Sequence, residues 1–335
     1  MPPSAHVLVT SSASPDIRRA IADALAGTAT VSYLVDLPAA ERAGALDRAN
    51  AVLSWNLAGE LKGSEELARL GSTGLIQLCS AGVDHVPWPQ IPTGTPVASN
   101  LGGYAEPMAE HVLAMALALA KRLPQNHAGL ARGEFDQETL NRAIHGSVVG
   151  ILGFGGIGHA CADLFQALGA RIHAINRSGR TDREVEFIGA PADLDPVLAV
   201  ADILVISIPM TRQTRGMIGA RELALMRADA ILVNVARGAI VVEDALYRHL
   251  CRHPKFSAGI DVWWGEPFEP HSFSTRHPFL ELPNVIGSPH NSPLTPGALV
   301  EGARRAAMNV ARHLRGEPVT GLVDRSDYTP SADSP

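Results

Sequence analysis

Val148-Val149-Gly150-Ile151-Leu152-Gly153-Phe154-Gly155-Gly156-Ile157-Gly158 is the stretch that decides the fold. It opens with an apolar run, Val148–Leu152, of the kind found in buried parallel strands. The pattern Gly-x-Gly-x-x-Gly follows at once, and a helical segment, His159–Leu168, comes next. In that context the pattern indicates a strand, turn and helix that bind a dinucleotide. The alternative, an ordinary glycine-rich turn, is disfavoured by the flanking strand and helix.

The glycines of this turn, and Ile157, have distinct structural roles in such a site. Gly153 permits the tight turn, Gly155 lets the backbone approach a pyrophosphate, and Gly158 lets the helix pack closely on the strand. The amides of Gly156 and Ile157 belong to the start of the helix, where the helix dipole attracts phosphate. We therefore expect all five residues to bind the cofactor.

Short apolar runs alternate with helical segments on both sides of this turn. This alternation predicts parallel sheets with right-handed crossovers. We predict an α/β protein with two Rossmann-like domains, doubly wound parallel sheets and an active-site cleft between the domains. The predicted strands are His6–Thr10, Ala51–Trp55, Leu75–Ser80, Val97–Asn100, Val148–Phe154, Arg171–Asn176, Asp202–Ile208, Ala230–Ala236, Ser257–Val262 and Val285–Ser288.

The domain boundaries are expected where this pattern changes, near Leu101. Residues 1–100 together with 291–335 should form the substrate (catalytic) domain, and residues 101–290 the dinucleotide-binding domain. The helical stretch Ala105–Leu123 is apolar on more than one face. This favours packing between domains or against another subunit.

Composition and charge exclude several classes of protein. With 46% hydrophobic and 19% charged residues the chain is not disordered, and at a net charge of -6 it has no basic patch for nucleic acid. The longest apolar stretch, Val112–Ala120, is too short to span a membrane, and the first residues lack a signal-peptide pattern. Three scattered cysteines suit neither a disulfide framework nor a zinc site. We expect a cytoplasmic protein without a metal.

The strand that follows the glycine-rich turn ends in Asn176-Arg177-Ser178-Gly179-Arg180. A carboxylate normally stands there to hold the ribose of NAD. Asn176 is neutral instead, and Arg177 and Arg180 suit a phosphate. We expect Asn176, Arg177, Ser178 and Arg180 to bind the cofactor, and NADP(H) to be favoured over NAD(H). The alternative is that both arginines are solvated and the site accepts either cofactor.

Arg237, Glu266 and His290 each follow a different predicted strand of the second series. Ligands bind outside the carboxyl ends of strands in such sheets, so we expect the three side chains to converge. Arginine grips the carboxylate of a 2-oxo acid and polarises its carbonyl group, and histidine exchanges protons near neutral pH. A carboxylate partner orients the imidazole. The pattern predicts hydride transfer between a nicotinamide and a small 2-oxo or 2-hydroxy acid, although each residue alone has an ordinary structural explanation.

Seven stretches, in order along the chain, resemble the D-isomer-specific 2-hydroxyacid dehydrogenase family, in particular its glyoxylate/hydroxypyruvate reductases. They are Ser80–Asp84, Ala109–His111, Gly153–Gly158, Ile208–Thr214, Asn234–Gly238, Asp261–Pro267 and Ser288–His290. The combination is far more specific than any one motif.

The resemblance implies a role for each of these sites. Arg237 would bind the substrate carboxylate and carbonyl group, His290 would be the general acid/base, and Glu266 would be its partner. Substrate would also meet the amides of Ala81 and Gly82, while Met108, Pro209, Thr214, Val235 and Asp261 would contact the cofactor. Trp55 belongs to a loop that faces substrate in the family; it could narrow the substrate pocket, and the alternative is that it fills the core or rim at the end of its strand. The resemblance further implies a homodimer with Ala105–Leu123 near the interface.

Two other functions stay open on this sequence. A dinucleotide-sensing scaffold or corepressor can keep the same residues, although the short termini here offer little for a partner. A relative that oxidises formate or phosphite uses the same arginine and histidine. The formate-type pattern has Gln where Glu266 stands, which counts against that version.

Overall fold

The computed structural model describes residues 5–266, 273–295 and 297–329. Pro267, which ends one of the seven stretches, and Pro296 lie outside the described residues. The chain divides into two compact units. The first unit is Met1–Tyr104 with Thr295–Pro335, and the second unit is Ala105–Leu294. Their roles as substrate and dinucleotide domains stay predictions.

Strands and helices alternate along the described residues. The strands are β1 (Ala5–Val9), β2 (Ala29–Tyr33), β3 (Ala51–Ser54), β4 (Leu75–Leu78), β5 (Val97–Ala98), β6 (Val148–Leu152), β7 (Arg171–Ile175), β8 (Phe187–Gly189), β9 (Ile203–Ile206), β10 (Ile231–Asn234), β11 (Ser257–Ile260) and β12 (Val285–Gly287). The helices are α1 (Pro15–Leu25), α2 (Ala39–Arg48), α3 (Leu57–Glu60), α4 (Gly63–Ala68), α5 (Ala105–Ala120), α6 (Leu123–Ala131), α7 (Gly156–Ala167), α8 (Leu194–Val200), α9 (Ala220–Leu225), α10 (Glu243–Arg252) and α11 (Ala298–Leu314). None of these helices is both long and apolar enough to cross a membrane.

The first unit is built on a parallel sheet of strand order β2-β1-β3-β4-β5. Its strands bury side chains on both faces: Val7 and Val9 point into one apolar cluster and Leu8 into the other. Because both faces are covered, the strands read as continuous apolar runs. The order reverses between β1 and β3, which makes that position the topological switch point of the sheet.

The second unit is built on a parallel sheet of order β12-β11-β10-β9-β6-β7-β8. Without β12, this is the order of a dinucleotide-binding sheet. The switch point lies between β6 and β9, and the glycine-rich turn follows β6. The prediction of two doubly wound parallel sheets is confirmed.

Two strands, β2 and β8, are missing from the sequence-based list, so its count is wrong by one in each sheet. Both lie at the end of a sheet, where a strand pairs on one side only. The sequence of β2, Ala29-Thr30-Val31-Ser32-Tyr33, mixes polar and apolar residues, and β8 has three residues. Neither is an apolar run, which is why both escaped detection.

The long apolar helix also ends earlier than expected. It stops at Ala120 because Arg122 adopts a left-handed backbone conformation (φ 52°), and α6 starts at Leu123. The buried side of α5 packs against α7, β10 and β11 of its own unit. Burial within the unit therefore accounts for its composition, and its place near a subunit interface stays a prediction.

Candidate functional site

The three glycines of the turn after β6 have different surroundings. Gly153 has φ of 107°, and a Cβ there would lie 2.7 Å from the carbonyl carbon of Ser207. A Cβ on Gly158 would lie 2.2 Å from the carbonyl oxygen of Gly153, so only glycine fits without a backbone shift. A Cβ on Gly155 would meet nothing within 4 Å. The turn is thus packed tightly at its first and third glycines and open at the second.

Helix α7 begins at Gly156, directly after this open position. Its first-turn amides, those of Gly156 and Ile157 among them, cannot bond within the helix and lie at the positive end of its dipole. An open backbone next to the start of a twelve-residue helix is a surface that an anionic group can approach. These residues fit the pyrophosphate of a dinucleotide.

The loop after β7 is organised by Asn176. Its Oδ1 accepts hydrogen bonds from the amide and hydroxyl of Ser178, both at 3.1 Å, and its Nδ2 donates to the carbonyl of Arg180 at 2.8 Å. The side chain therefore holds the loop that carries the exposed residues Arg177, Ser178 and Arg180. The expected ribose-binding position works here as a turn stabiliser.

The remaining residues expected at the cofactor differ in which of their groups are accessible to a ligand. Thr214 Oγ1 donates to the carbonyl of Pro209 at 2.7 Å and accepts the amide of Thr211 at 2.8 Å, which builds a tight turn after β9. The side chains of Val235 and Met108 are buried, at 1% and 8% exposure. A cofactor contact at Val235 would therefore involve its backbone.

Glu266 and His290 are brought together in the second unit. His290 Nδ1 and Glu266 Oε2 lie 2.8 Å apart, and the amide of Trp263 donates to Glu266 Oε1 at 2.9 Å. Both side chains are about one-third exposed, at 34% for His290 and 35% for Glu266. The carboxylate is thus held by one backbone donor, and it orients the imidazole through Nδ1.

The electrostatic surroundings of Glu266 favour its ionised form. Partial burial acts to raise its pKa, but the hydrogen bonds from His290 and the Trp263 amide, with the charges of His290 and Arg237, lower the pKa on balance. The guanidinium of Arg237 therefore acts on the same carboxylate that holds the imidazole. The structure brings His290 and Glu266 into direct contact, and the charge of Arg237 acts on the same carboxylate.

Arg237 is positioned by the turn after β10. Asn234, buried at 2% exposure, accepts the amide of Ala236 at 3.1 Å and donates to the carbonyl of Arg237 at 3.0 Å. A Cβ on Gly238 would lie 2.4 Å from the carbonyl carbon of Trp263. Glycine after Arg237 thus allows this turn to pack against the chain that leads to Glu266.

Asp261 anchors the turn that carries His290. Its fully buried carboxylate accepts hydrogen bonds from Ser288 Oγ at 2.5 Å and from the amides of Asn291 and Ser292 at 3.1 and 3.2 Å. Its carbonyl accepts the amide of His290, whose φ is 50°. A left-handed conformation at a non-glycine residue is strained and persists only where surrounding bonds enforce it. The contact expected between Asp261 and the nicotinamide stays a prediction.

Sequence reasoning assigned no role to two residues that complete this anchor. His111 Nε2 lies 2.8 Å from Ser288 Oγ and 3.7 Å from Asp261 Oδ1. The signal was present, because His111 and Ser288 both belong to the quoted stretches. What the sequence does not reveal is that α5 and the turn after β12 meet.

The residues expected at the substrate that lie in the first unit follow its strands. Trp55 comes directly after β3 and is partly buried against one apolar cluster. Ala81 and Gly82 follow β4, in a loop where Ser80 Oγ donates to the carbonyl of Gly82 at 3.0 Å. Within the described residues no group of three or more His, Cys, Asp or Glu side chains could hold a metal ion.

Comparison with known proteins places this geometry in context. Residues 113–292 match the family model described as D-isomer specific 2-hydroxyacid dehydrogenase, NAD binding domain. The chain is 36% identical over 218 residues to glyoxylate/hydroxypyruvate reductase B of Pectobacterium carotovorum, an alignment that covers 63% of this chain and 66% of that protein.

Two solved structures resemble nearly the whole chain. A provisionally named formate dehydrogenase from Pyrobaculum aerophilum is 29% identical with a TM-score of 0.79, and the match covers 96% of this chain and 99% of that one. A D-isomer specific 2-hydroxyacid dehydrogenase from Xanthobacter autotrophicus, in complex with NADPH, is 26% identical with a TM-score of 0.77, covering 97% and 100%.

Proposed function

The chain belongs to the D-isomer specific 2-hydroxyacid dehydrogenase family, and from this premise we propose that it interconverts a small 2-oxo acid and its 2-hydroxy acid with NADP(H). One observation carries the proposal: the 2.8 Å contact between His290 and Glu266, beside the charge of Arg237. An imidazole, its carboxylate partner and a guanidinium are the groups that this reaction needs.

The proposed chemistry uses each group once. Arg237 binds the carboxylate of the 2-oxo acid and polarises its carbonyl group. Because Nδ1 of His290 faces Glu266, Nε2 is the nitrogen that passes a proton to the carbonyl oxygen. The bound nicotinamide supplies the hydride for the carbonyl carbon. The product is a 2-hydroxy acid, and the reverse reaction returns the proton to His290.

The proposed preference for NADP(H) rests on the loop after β7. Asn176 carries no charge that would repel a 2′-phosphate, and its hydrogen bonds hold a loop with two exposed arginines. The similar structure from Xanthobacter autotrophicus contains NADPH, which is in keeping with this choice. Arg177→Ala should weaken NADPH binding while sparing NADH. Equal loss of affinity for both cofactors would contradict the phosphate role.

The activity is tested by following reduced-nicotinamide absorbance with glyoxylate, hydroxypyruvate, larger 2-oxo acids and, in the oxidative direction, formate. Arg237→Ala and His290→Ala should each lower turnover by about a hundredfold or more. Exposed residues, in Arg248→Ala and His127→Ala, provide matched controls. Cofactor binding without turnover of any substrate would favour the scaffold function instead.

We further propose that the protein is a homodimer. Beyond α5, the segment from α6 onward exposes large apolar side chains, with Phe135 at 75% and Leu140 at 89% exposure. Exposed large apolar side chains within one segment of the chain fit an interaction surface, and they would extend the interface expected at Ala105–Leu123. Sedimentation should give a dimer for the native protein and a shift toward monomer for Phe135→Ser/Leu140→Ser.

A further inference from the structure

The carboxylate of Glu60 joins two neighbouring strands of the first unit. Its Oε2 accepts hydrogen bonds from Thr10 Oγ1 at 2.5 Å and Ser54 Oγ at 2.7 Å, both on fully buried residues. Its Oε1 accepts the amides of Asn56 at 2.8 Å and Trp55 at 3.2 Å. Thr10 directly follows β1, and Ser54 ends β3.

These contacts leave Glu60 little capacity for a ligand. An ionised carboxylate offers about four acceptor positions, and four donors of the protein already occupy them. Hydrogen bonds of this charge-assisted kind are about twice as strong as neutral ones. The geometry is therefore that of an anchor and not of a group waiting for substrate.

The place of this anchor in the sheet connects it with ligand binding. β1 and β3 flank the point at which the strand order of the first unit reverses. In open α/β sheets, ligands bind outside the carboxyl ends of the strands at that point. Trp55, the first residue after β3, stands there, and Glu60 holds its amide and that of the next residue.

The indole of Trp55 is restrained as well. The side chain is partly buried and packs against the apolar cluster that contains Cys79 and Ala98. Trp55 is thus held at its backbone by Glu60 and at its side chain by apolar packing.

We propose that Glu60 is a positioning residue that holds Trp55 as a rigid wall of the substrate site and so restricts the enzyme to 2-oxo acids with small side chains. This inference rests on the proposed function. A wall that is fixed at both its backbone and its side chain cannot move aside for a branched substrate, and exclusion by a rigid wall is the physical basis of such selectivity.

Two substitutions of Glu60 distinguish the effect of its hydrogen bonds from the effect of its negative charge. Glu60→Ala removes all four acceptor contacts. Glu60→Gln keeps an oxygen for the two amides, and its NH2 group can donate to the two hydroxyls, which accept as readily as they donate. Glu65→Ala is the matched control, because the Glu65 side chain lies on the surface at 85% exposure. Circular dichroism and melting temperature monitor folding in each variant.

The first measurement is hydrogen exchange of the Trp55 and Asn56 amides, which needs no turnover. Glu60→Ala should speed exchange at both amides by about tenfold, as expected for loss of a bond to a charged acceptor, while Glu60→Gln and Glu65→Ala stay near the native rate. Unchanged exchange in Glu60→Ala would overturn the anchor. If Glu60→Ala does not fold, Glu60→Asp, one methylene too short to reach every donor, replaces it with the same expected results.

The second measurement is the ratio of kcat/KM for glyoxylate to that for the branched 3-methyl-2-oxobutanoate. Glu60→Ala should lower this ratio by about tenfold, mainly through a lower KM for the branched acid, and Glu60→Gln should retain it. An unchanged ratio, or equal effects of Ala and Gln, would overturn the positioning role. If the native protein reduces none of the 2-oxo acids, the proposed function fails, and the exchange result still reports whether Glu60 is an anchor.

Discussion

Alanine at Gly158 and alanine at Gly155, both in the turn after β6, should affect different properties: the first should lower stability, and the second should lower affinity for the cofactor. In Gly158→Ala the new Cβ would lie 2.2 Å from the carbonyl oxygen of Gly153, and backbone must shift to admit it. Overpacking of this kind typically destabilises by about 1 to 3 kcal/mol, and we expect the upper end because the clash is with backbone. For a unit of this size the melting temperature should fall by about 6 °C or more.

In Gly155→Ala the methyl group enters open space, with no atom within 4 Å. Because alanine is a poorer helix N-cap than glycine, we expect a stability loss of about 1 kcal/mol, which corresponds to a fall in melting temperature of about 3 °C. The same methyl stands where a pyrophosphate would approach, so the Kd for NADPH should rise by about tenfold or more, equal to about 1.4 kcal/mol.

Differential scanning fluorimetry without cofactor and fluorescence titration with NADPH measure the two effects separately. Gly158→Ala should lose stability, and Gly155→Ala should lose cofactor affinity with its fold nearly intact. Native affinity in Gly155→Ala would refute the assignment of this open position to the pyrophosphate. Equal melting temperatures for Gly158→Ala and the native protein would refute the packing argument.

Three further outcomes concern stability. Burial, followed by the charge of His253, lowers the pKa of His249 from 6.5 to about 4, so the unfolded chain binds this proton more strongly than the folded chain does. The contribution of His249 to stability should therefore be complete above pH 6.5 and fall as the pH drops toward 4. The melting temperature of His249→Leu should fall less over the same pH range. Arg42→Ala leaves the largely buried Glu66 carboxylate without its 2.8 Å partner and should reduce the free energy of unfolding in urea by about 2 kcal/mol, whereas an unchanged urea midpoint would mean that the pair contributes nothing. Asp261→Asn replaces one carboxylate oxygen by an NH2 group that faces hydrogen-bond donors. The free energy of unfolding in urea should fall by about 2 kcal/mol, and an unchanged value would contradict the role of Asp261 as an anchor.

The sequence predicted the parallel sheets well because their signal is local. A run such as Val148–Leu152 is apolar throughout because helices cover both faces of its sheet, and that burial is visible residue by residue. Strands β2 and β8 at the ends of the sheets lack this pattern, and the end of α5 depends on one left-handed residue, Arg122. These features depend on pairing and backbone conformation, which composition does not report.

The residues of the candidate site were found for a similar reason. Arg237, Glu266 and His290 each follow a strand, and the carboxyl ends of parallel strands share one edge of a sheet. That argument placed them near each other but could not choose the partner of each nitrogen and oxygen. It also overlooked Glu60, because a single glutamate at the end of a four-residue helix has no pattern that separates an anchor from a surface charge.

By itself, the sequence determined the order of the buried apolar strands, the glycine-rich turn and the absence of a carboxylate at the end of β7, since each is visible in neighbouring residues. Only the tertiary structure decided that His290 meets Glu266 through Nδ1, that Asp261 holds the amide of the left-handed His290, and that Glu60 ties β1 to β3. Such contacts join residues far apart in the chain. They exist only once loops from separate strands pack together, because side-chain direction at a turn depends on its neighbours in space.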